Sequence, residues 1–279
     1  MTLFEVYKQS LKQLQNPDIE EINIRIILCE INSLKSMSDF YIKKDEEIRD
    51  LPRFQSFFNR YLKGEPVQYI LGKTTFYNNE FVVDKRVLIP RQESEEVVDY
   101  AIKKAHQVFG NKTIDVADVC SGSGIMGISL KKNLNVNKLY FSDISKDALD
   151  VCKKNCNNLK VDADFYNGDS LDELVKNNVK IDLLISNPPY ILRKEKLDNS
   201  VLDYEPHIAL FSDEDFSIYK KIIVNLHKVA KETLLAVFEI GTYSRSKLEE
   251  IIHESITNAE YEFIKDINGK ERILSIILK

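Results

Sequence analysis

The chain predicts an α/β protein: a mostly parallel sheet that ends in an antiparallel hairpin, preceded by a small helical part and a β-hairpin connector. Three observations carry this. From Glu93 onward, apolar patterns of helical period alternate with short runs rich in β-branched residues, which argues for strand–helix–strand units and a parallel sheet. One strand-to-helix junction is rich in glycine, with three of the nine glycines of the chain falling in residues 120–127. Before about Leu71 the apolar spacing is helical throughout.

Taken in order, Phe4, Tyr7, Leu11 and Leu14 form a first apolar stripe, broken at Asn16 and Pro17. Ile19, Ile22, Ile26 and Cys29 form a second at helical spacing. Phe54, Phe57, Phe58, Tyr61 and Leu62 form a third, an aromatic stripe whose expected place is the core. Gly64 is expected to end that helix and Pro66 to begin a short next one. Residues 74–77 and 80–83 read as a hairpin turning at Asn78 and Asn79. Val97, Val98, Ala101, Ile102 and Ala105 line one face of the leading helix of the α/β part. Strands follow at 113–119, 138–142, 164–167, 181–186 and 234–240, and the tail 260–278 reads as an antiparallel hairpin around Asn268 and Gly269. The stretch 191–215 is a long charged loop of the kind that serves as a lid or meets a partner. The expected division is a helical domain over 1–73, the connector over 74–90 and the α/β domain over 91–279.

The strand 181–186 runs into Asn187, Pro188, Pro189 and Tyr190. Carboxyl ends of strands are where open α/β sheets bind ligands. The four residues suit one task, the holding of a planar –NH₂ group. Asn187 offers a side-chain carbonyl, and Pro189 biases Pro188 to an extended geometry that fixes the Pro188 carbonyl. Two fixed acceptors take both N–H bonds of one –NH₂, and Tyr190 supplies a flat face. Asn187, Pro188 and Tyr190 are therefore the catalytic candidates, with Pro189 completing the substrate-binding set.

Upstream, the strand 113–119 leads into Cys120, Ser121, Gly122, Ser123 and Gly124 and then a helix to about Asn133. A strand, a glycine-rich turn and a helix bring backbone N–H groups close to a ligand, as in a Rossmann-like unit. The spacing is not that of the dinucleotide fingerprint. Asp118, one step before the turn, suits a ligand carrying positive charge. Asp143 ends the next strand, where a carboxylate typically binds ribose hydroxyls. Asp169 and Ser170 follow the third strand, where an Asp can meet an adenine amino group. Singly each Asp reads as a cap or turn residue; in order on successive strand ends they favour a nucleoside site.

With these residues in place the chain resembles the class I S-adenosylmethionine-dependent methyltransferases, and more narrowly the bacterial release-factor glutamine methyltransferases, the PrmC/HemK family. Residues 64–72 (GEPVQYILG), 88–95 (LIPRQESE), 204–210 (YEPHIAL) and 269–272 (GKER) resemble that family's segments and stand in its order over nearly the whole chain. Two positions depart from it: Cys120 stands for the usual first glycine of the turn, and Ser94 for a threonine. The resemblance implies S-adenosylmethionine as cofactor with S-adenosylhomocysteine as product, and adds Arg91 and Asn187 to the cofactor-binding set. It implies as substrate the Gln of the Gly-Gly-Gln motif of class I peptide chain release factors, with the helical part helping to grip them.

Composition agrees. The 279 residues are 43% hydrophobic and 30% charged, with a formal net charge of −5, and the pI is about 5.6. A duplex-binding protein usually shows a basic face, so direct nucleic-acid binding is not expected. No signal-peptide pattern and no membrane-length apolar run occurs, which sets a cytoplasmic expectation and no membrane partner. Cys152 and Cys156 lie one helical turn apart without a nearby His, and His106, His207, His227 and His253 are scattered, so no metal site is expected. Two rival readings use the same residues: an amino-methyltransferase for adenine or guanine, and a non-catalytic S-adenosylmethionine-binding module.

Overall fold

The computed structural model describes residues 1–14, 20–256 and 259–279. The break expected at Asn16 and Pro17, and Ile19 of the second stripe, lie outside the described residues. Two compact units divide the chain: Met1–Lys73 with Leu197–Tyr204, and Thr74–Lys196 with Glu205–Lys279.

The first unit contains α1 (Leu3–Leu11), α2 (Glu21–Ile31), α3 (Met37–Ile42), α4 (Leu51–Tyr61) and α5 (Val67–Leu71). Polar caps start three of them. Thr2 and Glu5 close a capping box on α1, Ser36 caps α3, and Asp50 caps α4 ahead of a proline in its first turn. The aromatic stripe is core as expected: Phe54, Phe58 and Tyr61 pack with Tyr7, Ile24, Leu28 and Phe40. Gly64, at φ 89°, and Gly72, at φ 72°, take the left-handed conformation where the chain leaves α4 and α5.

Two short strands come next, β1 (Lys73–Phe76), whose first residue is the last of the 1–73 segment, and β2 (Asn79–Val82). Their turn is Tyr77 and Asn78, both left-handed at φ 47° and 59°, one residue earlier than the expected Asn78 and Asn79. Two consecutive positive φ values give the twist that a two-residue hairpin needs. Phe76 and Phe81 then point into the core beside Val97 and Phe141. The α/β part follows as α6 (Glu93–Phe109), β3 (Ile114–Val119), α7 (Ile125–Asn133), β4 (Val136–Asp143), α8 (Lys146–Leu159), β5 (Asp164–Asn167), α9 (Asp172–Lys176) and β6 (Ile181–Ser186). The stretch 191–215 is not one loop. It holds β7 (Ile191–Leu192), α10 (Asn199–Tyr204, part of the first unit), α11 (His207–Leu210) and β8 (Phe211–Ser212), with β7 and β8 paired in parallel. The chain closes with α12 (Ser217–Val229), β9 (Ala230–Glu239), α13 (Arg245–Ser255), β10 (Glu260–Lys265) and β11 (Glu271–Leu278).

Among the described residues, seven strands form the main sheet in the order β10-β11-β9-β6-β3-β4-β5. β3 pairs in parallel with both β4 and β6, β6 with β9, and β10 and β11 form the expected antiparallel hairpin. The chain therefore winds outward from β3 through β4 and β5, then crosses back to β6. The reversal puts a crevice at the carboxyl ends of β3 and β6, where such sheets bind ligands. One apolar layer packs on each face of the sheet, which is why the central strands read as nearly continuous apolar runs.

Candidate active site

Strand register decides which residues meet. Val119 pairs with Ser142 on one side and Ser186 on the other. The residues that follow, Cys120, Asp143 and Asn187, thus leave three adjacent strands at one level. The Ser186 hydroxyl donates to the Val119 carbonyl at 2.5 Å, tying the β3 and β6 ends together.

The turn after β3 is built from left-handed residues: Cys120 at φ 58°, Gly122 at φ 52° and Gly124 at φ 80°. Glycine adopts this conformation freely, whereas for Cys120 it costs about 1–2 kcal/mol. The Gly122 N–H donates to Asp143 Oδ2 at 2.8 Å, and Asp143 Oδ1 accepts the Ser145 N–H at 2.8 Å. Burial pushes the Asp143 carboxyl above its ordinary range, opposed by those two amides. The Asn155 amide holds the other side, accepting from Val82 N–H at 2.7 Å and donating to the Ser123 carbonyl at 2.9 Å. The β2 strand and the turn are thereby clamped by one buried side chain.

A cavity of about 590 Å³ opens above these strand ends, a size suited to a nucleoside cofactor. Ten of the predicted residues line it: Arg91, Cys120, Ser121, Gly122, Ser123, Asp143, Asp169, Ser170, Asn187 and Pro189. Arg91 is oriented by Glu205, whose nearly inaccessible carboxylate takes its Nη2 at 2.6 Å and the Ile89 N–H at 3.1 Å. Asp169 pairs with Lys221 and accepts from the Ser170 hydroxyl at 2.8 Å. Burial pushes its carboxyl up, and these partners outweigh that and hold it below the usual value.

Four predicted residues do not line the cavity. Asp118 is 1% exposed and sits behind the turn, where Oδ2 accepts the Gly127 N–H at 2.8 Å. It anchors the start of α7, and burial pushes its carboxyl well above the usual range. Its expected contact with a cationic ligand has no counterpart in this wall. Gly124 faces Cys152 and Phe141. The Pro188 carbonyl lies 3.3 Å from the Tyr219 hydroxyl, and the Tyr190 hydroxyl donates to Glu239 Oε1 at 3.1 Å. Burial keeps the Tyr190 phenol protonated, with Glu239 adding to the effect.

The sequence reading missed part of the wall. Ile144, 54% exposed directly after Asp143, offers an apolar surface for a planar ring, with Met126 and Ala148 also lining the cavity. Ser212 enters because β8 pairs with β7, and nothing local marks it. The hydroxyls of Ser121 and Ser212 are buried with no hydrogen-bond partner. Such groups are normally satisfied, so two unmet polar atoms among the cavity-lining residues fit a polar ligand. With the Asp143 carboxylate and the Ile144 surface, the wall suits S-adenosylmethionine. Cys152 and Cys156 are buried in the core away from this wall.

The chain is similar to proteins of known families. The PrmC N-terminal domain family matches residues 5–72, and the Methyltransferase small domain family matches residues 94–203. The release factor glutamine methyltransferase of Bacillus subtilis (strain 168) is 35% identical over 286 residues, spanning 99% of this chain and 98% of that protein. That of Staphylococcus aureus (strain NCTC 8325 / PS 47) is also 35% identical, over 85% of this chain and 86% of its own. A solved T. thermophilus 16S rRNA N2 methyltransferase, in complex with AdoMet and guanosine, shares the fold with a TM-score of 0.51 at 10% identity, over 74% of this chain and 49% of that one.

Proposed function

Because the chain belongs to the release factor glutamine methyltransferase family, we propose that it methylates the side-chain amide nitrogen (N5) of the Gln in the Gly-Gly-Gln motif of class I peptide chain release factors, and so modulates translation termination. The methyl donor is S-adenosylmethionine and the product S-adenosylhomocysteine. The observation that carries the reading is the register that sets Asn187 on one cavity wall with the glycine turn and Asp143.

Bound there, S-adenosylmethionine supplies a methyl group made electrophilic by its sulfonium. The chain's own residues have to position the acceptor, because an amide nitrogen is a poor nucleophile. Asp143 and Ser121, beside the 120–124 turn, would hold the nucleoside portion, and Ile144 would take the face of its base. Asn187 offers its side-chain carbonyl from the cavity wall, and Pro188, behind that wall with its carbonyl 3.3 Å from the Tyr219 hydroxyl, would have to turn its second lone pair to the acceptor N–H bonds. As the N–C bond forms, those N–H groups become more acidic, and the two acceptors bind them more strongly than in the ground state. Holding nitrogen and methyl in line supplies a further large part of the acceleration. The Cys120 thiol, pushed up by burial, stays neutral and takes no covalent part. The helical unit helps to grip the release factor. The setting is cytoplasmic and no direct nucleic-acid contact is required. Among the described residues no helix is long and apolar enough to cross a membrane.

The test is transfer of labelled methyl to release factor, with DNA and ribosomal RNA as separate acceptors. Label is expected on release factor alone, and Asn187→Ala is expected to lower turnover about 10²–10³-fold, as loss of one preorganised transition-state contact does, with a modest loss of cofactor affinity. Label on nucleic acid, or near-normal rates on release factor in both Asn187→Ala and Asn187→Asp, would sink the proposal.

A further inference from the structure

We propose that Tyr219 and Glu239, which lie outside the cavity wall, are positioning residues for the transfer: they set the direction of the Pro188 carbonyl and of the Tyr190 ring. The inference rests on the reading of residues 187–190 as the acceptor clamp.

The clamp cannot hold itself. Pro188 and Pro189 have no N–H, so two successive peptide units of this loop lack the donor that normally pins a backbone. Their orientation has to come from groups that donate to their carbonyls or pack on their side chains. Tyr219 does the first. Its single O–H proton is shared between two acceptors, the Glu239 carbonyl at 2.7 Å and the Pro188 carbonyl at 3.3 Å. The side chain is fully buried, so water does not compete for the same acceptors. Phe216 and Phe238 pack against its ring, with centroids 5.9 and 6.0 Å away, which fixes the hydroxyl.

Glu239 does the second. Phe238 pairs with Ser186, so Glu239 leaves β9 beside the point where Asn187 leaves β6. Its carboxylate is 1% exposed and takes two hydroxyls, that of Ser94 at 2.5 Å and that of Tyr190 at 3.1 Å. The Tyr190 ring is seated from its other side by the backbone. A Cβ on Gly241 would stand 3.0 Å from Tyr190 Cδ2, so a larger residue there would press the ring by a few tenths of an ångström. The Tyr219 hydroxyl, anchored on the Glu239 carbonyl, and the Glu239 side chain thus lie against the two ends of the clamp, and neither Tyr219 nor Glu239 lines the cavity. A small rotation of the Pro188 carbonyl costs rate more than it costs binding, because its acceptor role grows in the transition state.

Tyr219→Phe keeps the ring and removes only the hydroxyl. Its kcat on release factor, read at saturation and well below the melting point, is expected to fall about tenfold to a hundredfold, as a small misplacement of reacting groups does. The KM for release factor and the calorimetric affinity for S-adenosylmethionine are expected to stay within about twofold, since binding contacts are unchanged. Glu239→Gln, which still offers an acceptor, is expected to retain much of the rate, and Glu239→Ala to match Tyr219→Phe. A wild-type kcat in Tyr219→Phe would overturn the inference, as would a parallel loss of cofactor affinity and rate. Should Tyr219→Phe not fold, equal rates in Glu239→Gln and Glu239→Ala would overturn it on the same readout. Wild-type protein that leaves release factor unlabelled would instead refute the function on which the inference rests.

Discussion

Gly127→Ala is the sharpest test of how the turn is seated. Gly127 lies in the buried first part of α7. In an exposed helix this substitution gains about 1 kcal/mol. Here the added Cβ would stand 2.6 Å from Phe141 Cε1, 3.0 Å from its Cζ and 2.9 Å from Asp118 Cβ. Neither neighbour is a free end. Phe141 is fully buried and stacked on Phe165 with centroids 5.5 Å apart, and Asp118 is part of β3. Overpacking of a tight core costs about 1–3 kcal/mol. Retreat of the helix also stretches the Gly127 N–H bond to the buried Asp118 carboxyl, and weakening a typical hydrogen bond costs about 0.5–1.5 kcal/mol. These outweigh the helical gain and leave a net loss of about 2 kcal/mol, or about 4–8 °C in melting temperature at this domain size. The helix carries the turn with it, so Gly122 shifts on Asp143 and S-adenosylmethionine affinity falls about tenfold or more. Thermal denaturation and calorimetry on the purified variant measure both. A melting temperature raised by a few degrees with intact affinity would refute the claim that close helix–sheet packing sets the turn.

Other variants test single groups. Cys120→Gly relieves a left-handed residue worth about 1–2 kcal/mol and adds about 0.5–1 kcal/mol of chain entropy, so stability is expected to change little and methylation to persist; abolished turnover with normal cofactor binding would assign the thiol a chemical role. Asp143→Ala removes the acceptor for Gly122 and Ser145 and is expected to weaken cofactor binding in a folded protein, and unchanged affinity by calorimetry would exclude the ribose contact. Asp118→Asn keeps an acceptor for Gly127 and removes a carboxyl whose folded pKa is raised from 3.8 by burial. Such a group stabilises most below its unfolded pKa and loses that contribution as pH rises through the folded value. The variant is therefore expected to melt above wild type at pH 7.5 and to lose that advantage near pH 4, and a difference independent of pH would contradict the assignment.

Local chemistry wrote much of this molecule directly into the sequence. Periodicity located the helices and the strands because burial of one face, or of both, is a property of a few neighbouring residues. Gly122 and Gly124 announced a left-handed turn, since glycine reaches that conformation without strain, and strand ends followed by Asn187 or Asp143 announced a ligand crevice. The hairpin turn was misread by one residue because Tyr77 carries no sign of its positive φ. What remained hidden is what long-range pairing creates. Asp118 looks like a ligand for a cofactor, yet parallel pairing on both sides of β3 buries it beneath α7 as an anchor. Ser212 reaches the wall only through the β7–β8 pair. Glu239 reaches Ser94 across 145 positions and Tyr190 across 49. Residues so far apart are brought together by strand order and register, which depend on the whole chain packing at once, and no local pattern of polarity records them.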